Sequence, residues 1–152
     1  MRLSADDQSR FPRFAYYVQH DIPRVMEVPS IVAAFREIGG INRGVLRAAL
    51  QWNSGPLISI VSGLSSGGRP VCGSFTPAPG SNTLRVHEQL VTDFEAGRGV
   101  RQARAGRVYI VGVTLLHELV HWADNLNGVD RPGEEGWEFE QRVYGPAQMS
   151  CF

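Results

Sequence analysis

Residues 111–124 have the sequence VGVTLLHELVHWAD, in which the pattern H-E-x-x-H lies inside an apolar run long enough to form a buried helix. At 3.6 residues per turn, His117 and His121 lie one turn apart, about 6 Å along the axis, and point the same way. Two imidazoles placed like this can share one metal ion, and Zn²⁺ accepts neutral nitrogen ligands at about 2.0–2.1 Å. Glu118 lies roughly a quarter-turn round the helix, where it can take a proton from a metal-bound water without ligating the metal. The pattern therefore predicts a zinc site with Glu118 as its general base.

The residues around the pattern argue against the alternative that the two histidines are ordinary surface residues. Apolar side chains at helical spacing form the opposite face of the predicted helix: Leu115, Leu119, Trp122 and Leu126. Polar groups near a core need a compensating partner, and a metal ion supplies one. Asp124 shares the face of the histidines, but a straight helix does not easily bring residues i, i+4 and i+7 to one ion. We therefore expect Asp124 to support a ligating histidine.

A second helix, predicted from Glu134 to Tyr144, supplies the candidates for a third ligand, since catalytic zinc sites use three protein ligands and leave one position for water. At 100° per residue, Glu140 falls in the middle of the apolar arc, whereas Glu134 and Glu135 lie on the solvated arc. A carboxylate on an apolar face is costly unless a positive group meets it. Gly136, one turn earlier, leaves room for another element to approach closely. Glu140 is therefore the predicted third ligand; Glu135 is the weaker rival, and a buried ion pair of Glu140 with an arginine is the structural alternative.

Length and charge limit the class of protein. A chain of 152 residues most simply forms one domain, over residues 1–152. Lys+Arg and Asp+Glu both number 15, so the formal charge of zero offers no basic surface for nucleic acid. No apolar run reaches the roughly 20 residues of a membrane span, and residues 1–13 lack the apolar core of a signal peptide. We therefore expect a protein that stays inside the cell, leaves it without a cleavable signal, or is an excised domain.

Cys72 and Cys151 are the only cysteines, and they lie far apart in the sequence. Neither belongs to a C-x-x-C pair, so neither is counted as a zinc ligand. Two buried thiols, or one disulfide that ties the C-terminal tail to the domain, are both open.

The N-terminal third is expected to supply packing and no chemistry. Residues 1–27 are predicted to be irregular and partly extended, because Pro12 and Pro23 break any long helix. Residues 29–38 are predicted to form a helix that ends at a pair of glycines. A second helix follows, capped by Asn42 and extending to Leu50.

Short strands are predicted in the middle of the chain. Residues 57–61 form a β-branched run and are predicted to be a strand. Residues 62–81 are rich in Gly, Ser and Pro and are predicted to form a loop that shapes a cleft, with a strand near Pro70–Phe75. Residues 83–86 are predicted to be a further strand, at the edge of the sheet. If that strand borders the cleft, an extended substrate can pair with its backbone.

The remaining segments lead into the zinc helix. Residues 87–95 are predicted to form a short helix, and residues 98–107 a solvated basic loop. The zinc helix itself is predicted from Val108 to Leu126 and ends at Asn127-Gly128.

His117-Glu118-Leu119-Val120-His121, followed by a glutamate on a second helix, resembles the gluzincin branch of the zincin metallopeptidases, the thermolysin-like arrangement. The metzincin pattern needs a glycine at Asp124 and a histidine at Asn127, so it does not fit. The run EGxxFExxxYG at residues 135–145 is more specifically similar to small metallopeptidase toxin domains. These include C-terminal extensions of type VI secretion spike proteins that are delivered between bacteria. The resemblance covers residues 108–145.

The resemblance implies an α+β fold: a small zincin-like single domain with an HExxH helix, a second ligand-bearing helix and a short, mostly antiparallel sheet. It implies zinc-dependent hydrolysis of a peptide or protein substrate, with Zn²⁺ held by His117, His121 and Glu140. Glu118 then acts as general base, and Tyr144 or His87 is the candidate donor to the oxyanion.

The toxin resemblance implies an antibacterial effector that reaches the periplasm of a target cell by a signal-independent route. An immunity protein and a carrier in the secretion apparatus are the partners it implies. Two alternatives from other classes stay open, a structural zinc domain and a metal-free protein-binding domain, neither of which hydrolyses anything.

Overall fold

The computed structural model describes residues 1–104, 106–128 and 133–146 of the chain. Seven α-helices lie in these ranges: α1 (Ala5–Arg10), α2 (Pro12–Tyr16), α3 (Pro29–Glu37), α4 (Arg43–Leu50), α5 (Glu88–Glu95), α6 (Ile110–Leu126) and α7 (Glu135–Tyr144). The strands, several of them very short, are β1 (Leu57–Val61), β2 (Ser65–Ser66), β3 (Arg69–Pro70), β4 (Gly73–Phe75), β5 (Thr83–His87), β6 (Val100–Ala103) and β7 (Gly106–Tyr109). Helices and short sheets are segregated along the chain, which confirms the predicted α+β class.

The N-terminal segment is helical, so the prediction of an irregular, extended segment was wrong. After α1 and α2 the chain continues through a π-helical turn at Tyr17–Asp21 and a 3₁₀-helix at Ile22–Glu27. Pro12 and Pro23 lie in the first turns of α2 and the 3₁₀-helix. Backbone N–H groups in a first turn make no hydrogen bond within the helix, so the N–H that proline lacks is not needed there. The two prolines therefore begin helical pieces. Three buried side chains at helical spacing anchor this segment in the core: Phe14, Val18 and Ile22.

The main sheet has three strands in the order β1-β5-β4. β1 pairs in parallel with β5, and β4 pairs antiparallel with β5, with Gly73 opposite Val86 and Phe75 opposite Leu84. β5 is therefore the central strand, and the prediction that residues 83–86 form an edge was wrong. Its alternate residues, Leu84 and Val86, are fully buried, as expected for a strand that presents one face to the core.

Two further antiparallel pairs complete the strands, so three of the four pairings are antiparallel. β2 pairs with β3, and β6 pairs with β7 from Val100 opposite Tyr109 to Ala103 opposite Gly106. The second hairpin occupies the region predicted as a solvated loop. Its arginines are exposed as expected, but backbone pairing depends on the main chain and tolerates charged side chains on a solvated face.

α6 is the central helix, and 13 of its 17 residues are buried. It begins at Ile110, two residues later than predicted, because the chain before it is still part of β7. Leu115 and Leu119 are fully buried as predicted, whereas Leu126 at the end of the helix is half exposed. Burial of each large apolar side chain is worth about 1.5–3 kcal/mol, which outweighs the modest helix propensity of its valines. No helix in the described ranges is long and apolar enough to cross a membrane.

α7 packs beside α6 and is fixed from its other side by α3. The rings of Phe35 and Phe139 lie 5.1 Å apart, and both side chains are fully buried. An ion pair between Arg142 and Glu37 joins the same two helices at the surface. These contacts set the position of α7, and through it the position of the glutamates near its start.

Candidate metal centre

The two histidines of α6 present the same ring nitrogen to each other. The Nε2 atoms of His117 and His121 are 3.3 Å apart, and the ring centroids are 5.1 Å apart. Both side chains are largely buried, with 14% and 19% of their surface exposed. One turn of helix therefore brings two nitrogen lone pairs to the floor of a cleft, as the spacing predicted.

Glu134, the residue before α7, lies closest to those two nitrogens. Its Oε1 is 3.1 Å from Nε2 of His121, and its Oε2 is 3.6 Å from Nε2 of His117. Within the described ranges, His117, His121 and Glu134 form a group whose ligand atoms all lie within 4.8 Å of one another. Two imidazoles and one carboxylate are a donor set that suits Zn²⁺.

Sequence reasoning missed Glu134 because it assigned this residue to the solvated arc of the second helix. The angular argument holds only for residues with helical dihedrals, and Glu134 has φ −118° and ψ 87°. Its side chain is 53% exposed and approaches the histidines from outside the helix. The available signal was its place at a helix N-terminus beside the HExxH helix, where a carboxylate is favoured by the helix dipole.

Glu140, the predicted third ligand, lies on the opposite side of His117 from the Nε2 pair. Its Oε1 is 2.7 Å from Nδ1 of His117, a short hydrogen-bond distance. The prediction that this acid faces inward is correct, since its side chain is only 17% exposed. Its contact differs from the predicted one, because α7 passes behind the ring and brings Glu140 to the back of the imidazole.

Glu135, the weaker rival, occupies the equivalent place behind His121. Its Oε2 is 3.1 Å from Nδ1 of His121, and the side chain is buried. Its other oxygen, Oε1, is buried, and within the part of the chain that the structure describes it has no hydrogen-bond partner. Three glutamates between positions 134 and 140 therefore surround the two imidazoles. Glu134 lies beside the Nε2 atoms, whereas Glu135 and Glu140 each contact the Nδ1 atom of one ring.

Gly136 lies against the face of the His117 ring. A methyl group built on Gly136 would overlap Nε2 and both carbons bonded to it. The prediction that this glycine permits a close approach is confirmed. Any larger residue would push α7 away from the imidazole.

Glu118 is buried beside the same cleft, with 5% of its surface exposed. Strand β4 covers it: a methyl group on Gly73 would lie 2.7 Å from Glu118 Oε1, so only glycine fits without a shift. Burial raises the pKa of Glu118 to about 7, while the two imidazoles and a hydrogen bond from the backbone amide of Phe75 act in the opposite direction. A divalent cation bound nearby would also act to lower the pKa of Glu118.

The electrostatic coupling between Glu134 and His121 follows from their contact. Burial is the largest single effect and would lower the pKa of His121, but the hydrogen bond to Glu134, together with the charges of Glu134, Glu118 and Glu135, raises the pKa above its usual value. The same contact lowers the pKa of Glu134, against the opposing effect of partial burial. Without a cation, the pair therefore favours a charged imidazole beside a carboxylate; with a cation, the metal takes the place of the proton.

Two residues predicted to donate to an oxyanion lie elsewhere. Tyr144 is buried in the core, where its ring packs edge-on against Phe139 at 6.1 Å, and it does not line the cleft. His87 caps α5, and its Nδ1 accepts a hydrogen bond from the backbone amide of Gln89 at 3.1 Å. The structure gives Tyr144 a packing contact and His87 a capping contact, and donation to an oxyanion by either residue stays a prediction.

Asp124 is buried and lines the cleft. Glu135 and Glu140 contact the Nδ1 atoms of the two histidines, and the expected support of a histidine by Asp124 stays a prediction. Cys72 also lines the cleft, but Cys151 falls outside the described residues, so the pairing of the two cysteines stays a prediction.

The cleft above the histidines has a volume of about 1360 Å³. One wall consists of β4 and the Pro- and Gly-rich loop that follows it, and the other consists of α6 and the start of α7. The expectation that this loop shapes a cleft is confirmed. Because β4 is the outer strand of its sheet, one of its backbone edges borders the open space.

Comparison with known proteins agrees with this arrangement. The family model described as metallopeptidase toxin 3 matches residues 7–145, which span the N-terminal helices, the sheet and both helices of the metal centre. No curated protein and no solved structure matches the chain. The match extends well beyond residues 108–145, to which the sequence resemblance was confined. The chain belongs to the metallopeptidase toxin 3 family.

Proposed function

We propose that this protein is a zinc endopeptidase whose metal is held by His117, His121 and Glu134. The observation that carries the proposal is the 3.3 Å separation of the two Nε2 atoms. Two nitrogens bound to one zinc ion at about 2.0–2.1 Å with tetrahedral angles are about 3.3–3.4 Å apart. The side chains therefore need little movement to accept the ion.

Glu134 is a better candidate for the third ligand than Glu140 because of where its oxygens lie. They are 3.1 and 3.6 Å from the two Nε2 atoms, close to the nitrogen–oxygen separation of about 3.4 Å in a tetrahedral zinc site. The ligand pattern remains of the gluzincin type, in which HExxH is followed by a glutamate at a second helix. All three side chains that would hold the ion line the open cleft, which favours a catalytic site over the structural zinc alternative.

Glu118 is the proposed general base. When bound, the zinc ion supplies Lewis acidity, lowering the pKa of a water molecule to about 7 and polarising the scissile carbonyl. Glu118 would receive the proton of the attacking water on its carboxylate and deliver it to the leaving amine. Its burial under β4 suits this role, because a carboxylate shielded from solvent exchanges its proton with the reacting groups.

The outer edge of β4 is the proposed binding surface for the substrate. β5 cannot serve, because it is paired on both sides, so the predicted strand pairing moves from β5 to β4. An extended peptide that pairs with β4 would run directly above Glu118, since Gly73 contacts that side chain. Main-chain pairing of this kind binds internal segments of a chain, which is why we propose an endopeptidase.

We also propose that the peptidase acts as an antibacterial effector, as its toxin family and the resemblance to type VI spike extensions suggest. An immunity protein that covers the cleft in the producing cell would then be required. Expression of the wild type in the bacterial cytoplasm and periplasm, beside Glu118→Gln, tests this. Growth arrest by the wild type alone is expected, and equal growth of both strains in both compartments would count against an antibacterial role.

The test of the chemistry uses purified protein. Wild type should contain about one equivalent of zinc and cleave an unfolded protein substrate, and chelation should abolish cleavage. Glu118→Gln should keep its zinc and lose cleavage by at least about 100-fold, the usual scale for a general base. Zinc content below a tenth of an equivalent in the wild type, or full activity of Glu118→Gln, would refute the proposal.

A further inference from the structure

We propose that Glu140 and Glu135 are positioning residues that hold the two metal-binding imidazoles from behind. The inference rests on the proposed function, because it concerns how His117 and His121 are prepared for the ion. It assigns a role to one buried and one partly buried acid that the ligand set and the general base leave unused.

Glu140 makes the better-defined contact of the two. Its Oε1 is 2.7 Å from Nδ1 of His117, on the opposite side of the ring from the Nε2 atom that faces His121. A carboxylate at this distance accepts the Nδ1 proton, so the lone pair of the neutral ring is left on Nε2. Gly136 packs on the face of the same ring. His117 is therefore fixed in tautomer by Glu140 and in orientation by Gly136.

Glu135 acts on His121 in the same way but less completely. Its Oε2 is 3.1 Å from Nδ1 of His121, and its side chain is 8% exposed. Oε1 of the same carboxylate is buried and has no hydrogen-bond partner among the described residues. An unsatisfied buried carboxylate oxygen costs free energy, so this acid is poorly explained as a contribution to folding. A nearby divalent cation lowers that cost, because it compensates the negative charge beneath the rings.

The same seven residues of chain, 134–140, thus surround both histidines. Glu134 faces the ion, Glu135 and Glu140 face the two Nδ1 atoms, and Gly136 provides clearance between them. Carboxylates that accept from metal-bound histidines typically raise metal affinity 10–100-fold. We expect that range for each acid.

The experiment measures zinc affinity by competition with a chromophoric chelator for wild type, Glu140→Gln and Glu135→Gln. Glu138→Gln, an exposed change on the same helix, is the matched control, and Glu134→Ala and His121→Ala report loss of a ligand. Glu140→Gln and Glu135→Gln should weaken zinc binding about 10–100-fold, with Glu138→Gln unchanged. The two ligand variants should lose far more. Far-UV circular dichroism of the metal-free proteins checks that each variant is folded.

A second measurement separates positioning from simple packing. Long-range nitrogen NMR of the imidazoles should place the proton on Nδ1 and zinc on Nε2 in the wild type. Glu140→Gln should mix the tautomers of metal-free His117 while leaving His121 as it is, and Glu135→Gln should do the reverse.

The outcomes distinguish the two proposals. Wild type that binds no zinc would defeat the proposed function itself. Wild type that binds zinc through Nδ1, or Gln variants within threefold of wild-type affinity, would overturn only the positioning roles. A loss for Glu140→Gln as large as that of His121→Ala would also overturn its role and return Glu140 to the ligands, as the sequence predicted.

Discussion

Replacement of Gly136 by alanine should damage the metal centre even though the same change usually strengthens a helix. Alanine in a helix interior is favoured over glycine by about 1 kcal/mol. At this position the added methyl group would overlap the imidazole of His117. Either α7 moves away, at a cost of about 1–3 kcal/mol for overpacking, or the ring swings out of place. Displacement of a functional group by about 1 Å commonly costs about 100-fold, so we expect zinc binding to weaken by about that factor.

The assay is zinc competition with a chelator, combined with urea unfolding of the metal-free protein. If the ring swings out, the metal-free variant will be as stable as wild type or slightly more so, yet will bind zinc poorly. Gly44→Ala is the matched control, because Gly44 is an exposed residue in the first turn of α4, which does not line the cleft. Wild-type zinc affinity in Gly136→Ala would refute the inference that α7 and the His117 ring are in direct contact.

Three further outcomes are expected. Chelation should lower the melting temperature by about 5–10 °C, because zinc at 100 times its dissociation constant adds about 2.7 kcal/mol to the free energy of unfolding. An unchanged melting temperature in calorimetry would mean that no metal had stabilised the fold. In the metal-free protein, burial raises the pKa of Glu118 from 4.5 to about 7, so ionisation opposes folding and the free energy of unfolding falls as pH rises through this interval. In urea titrations at pH 8, the free energy of unfolding of Glu118→Gln should then exceed that of wild type by up to about 3 kcal/mol. The difference should vanish below pH 4.5, and a difference that grows as the pH falls would contradict a raised pKa. Tyr144→Phe should leave kcat/KM within about threefold of wild type, whereas a 100-fold loss would restore its predicted role as an oxyanion donor.

The parts of the site that follow from helical periodicity could be predicted from the sequence. His117, Glu118 and His121 belong to one long apolar helix, so their mutual placement follows from 3.6 residues per turn. The inward direction of Glu140 follows from the same rule applied to the second helix. Which nitrogen of His117 it meets depends on how α7 packs beside α6, and a helical projection contains no information on that.

Three predictions failed because a local pattern does not contain the surroundings of a residue. Pro12 and Pro23 predict breaks by residue type alone, although a proline in the first turn of a helix is favourable, and Phe14, Val18 and Ile22 have helical spacing. The central position of β5 depends on its pairing with β4; β4 lies within the strand predicted near Pro70–Phe75, but the sequence pattern does not show which strand it pairs with. Glu134 was missed because a residue at a helix end does not follow the projection of the helix it precedes.

The spacing of the metal centre along the chain bears on the order in which the protein folds. His117 and Glu134 are 17 positions apart, so the entropy lost on closing the loop between them is small. A cation that joins α6 to the start of α7 would cross-link a local helical hairpin, comparable to a disulfide across a short loop. The contacts within that hairpin are local, so its formation does not require the distant N-terminal helices to dock first.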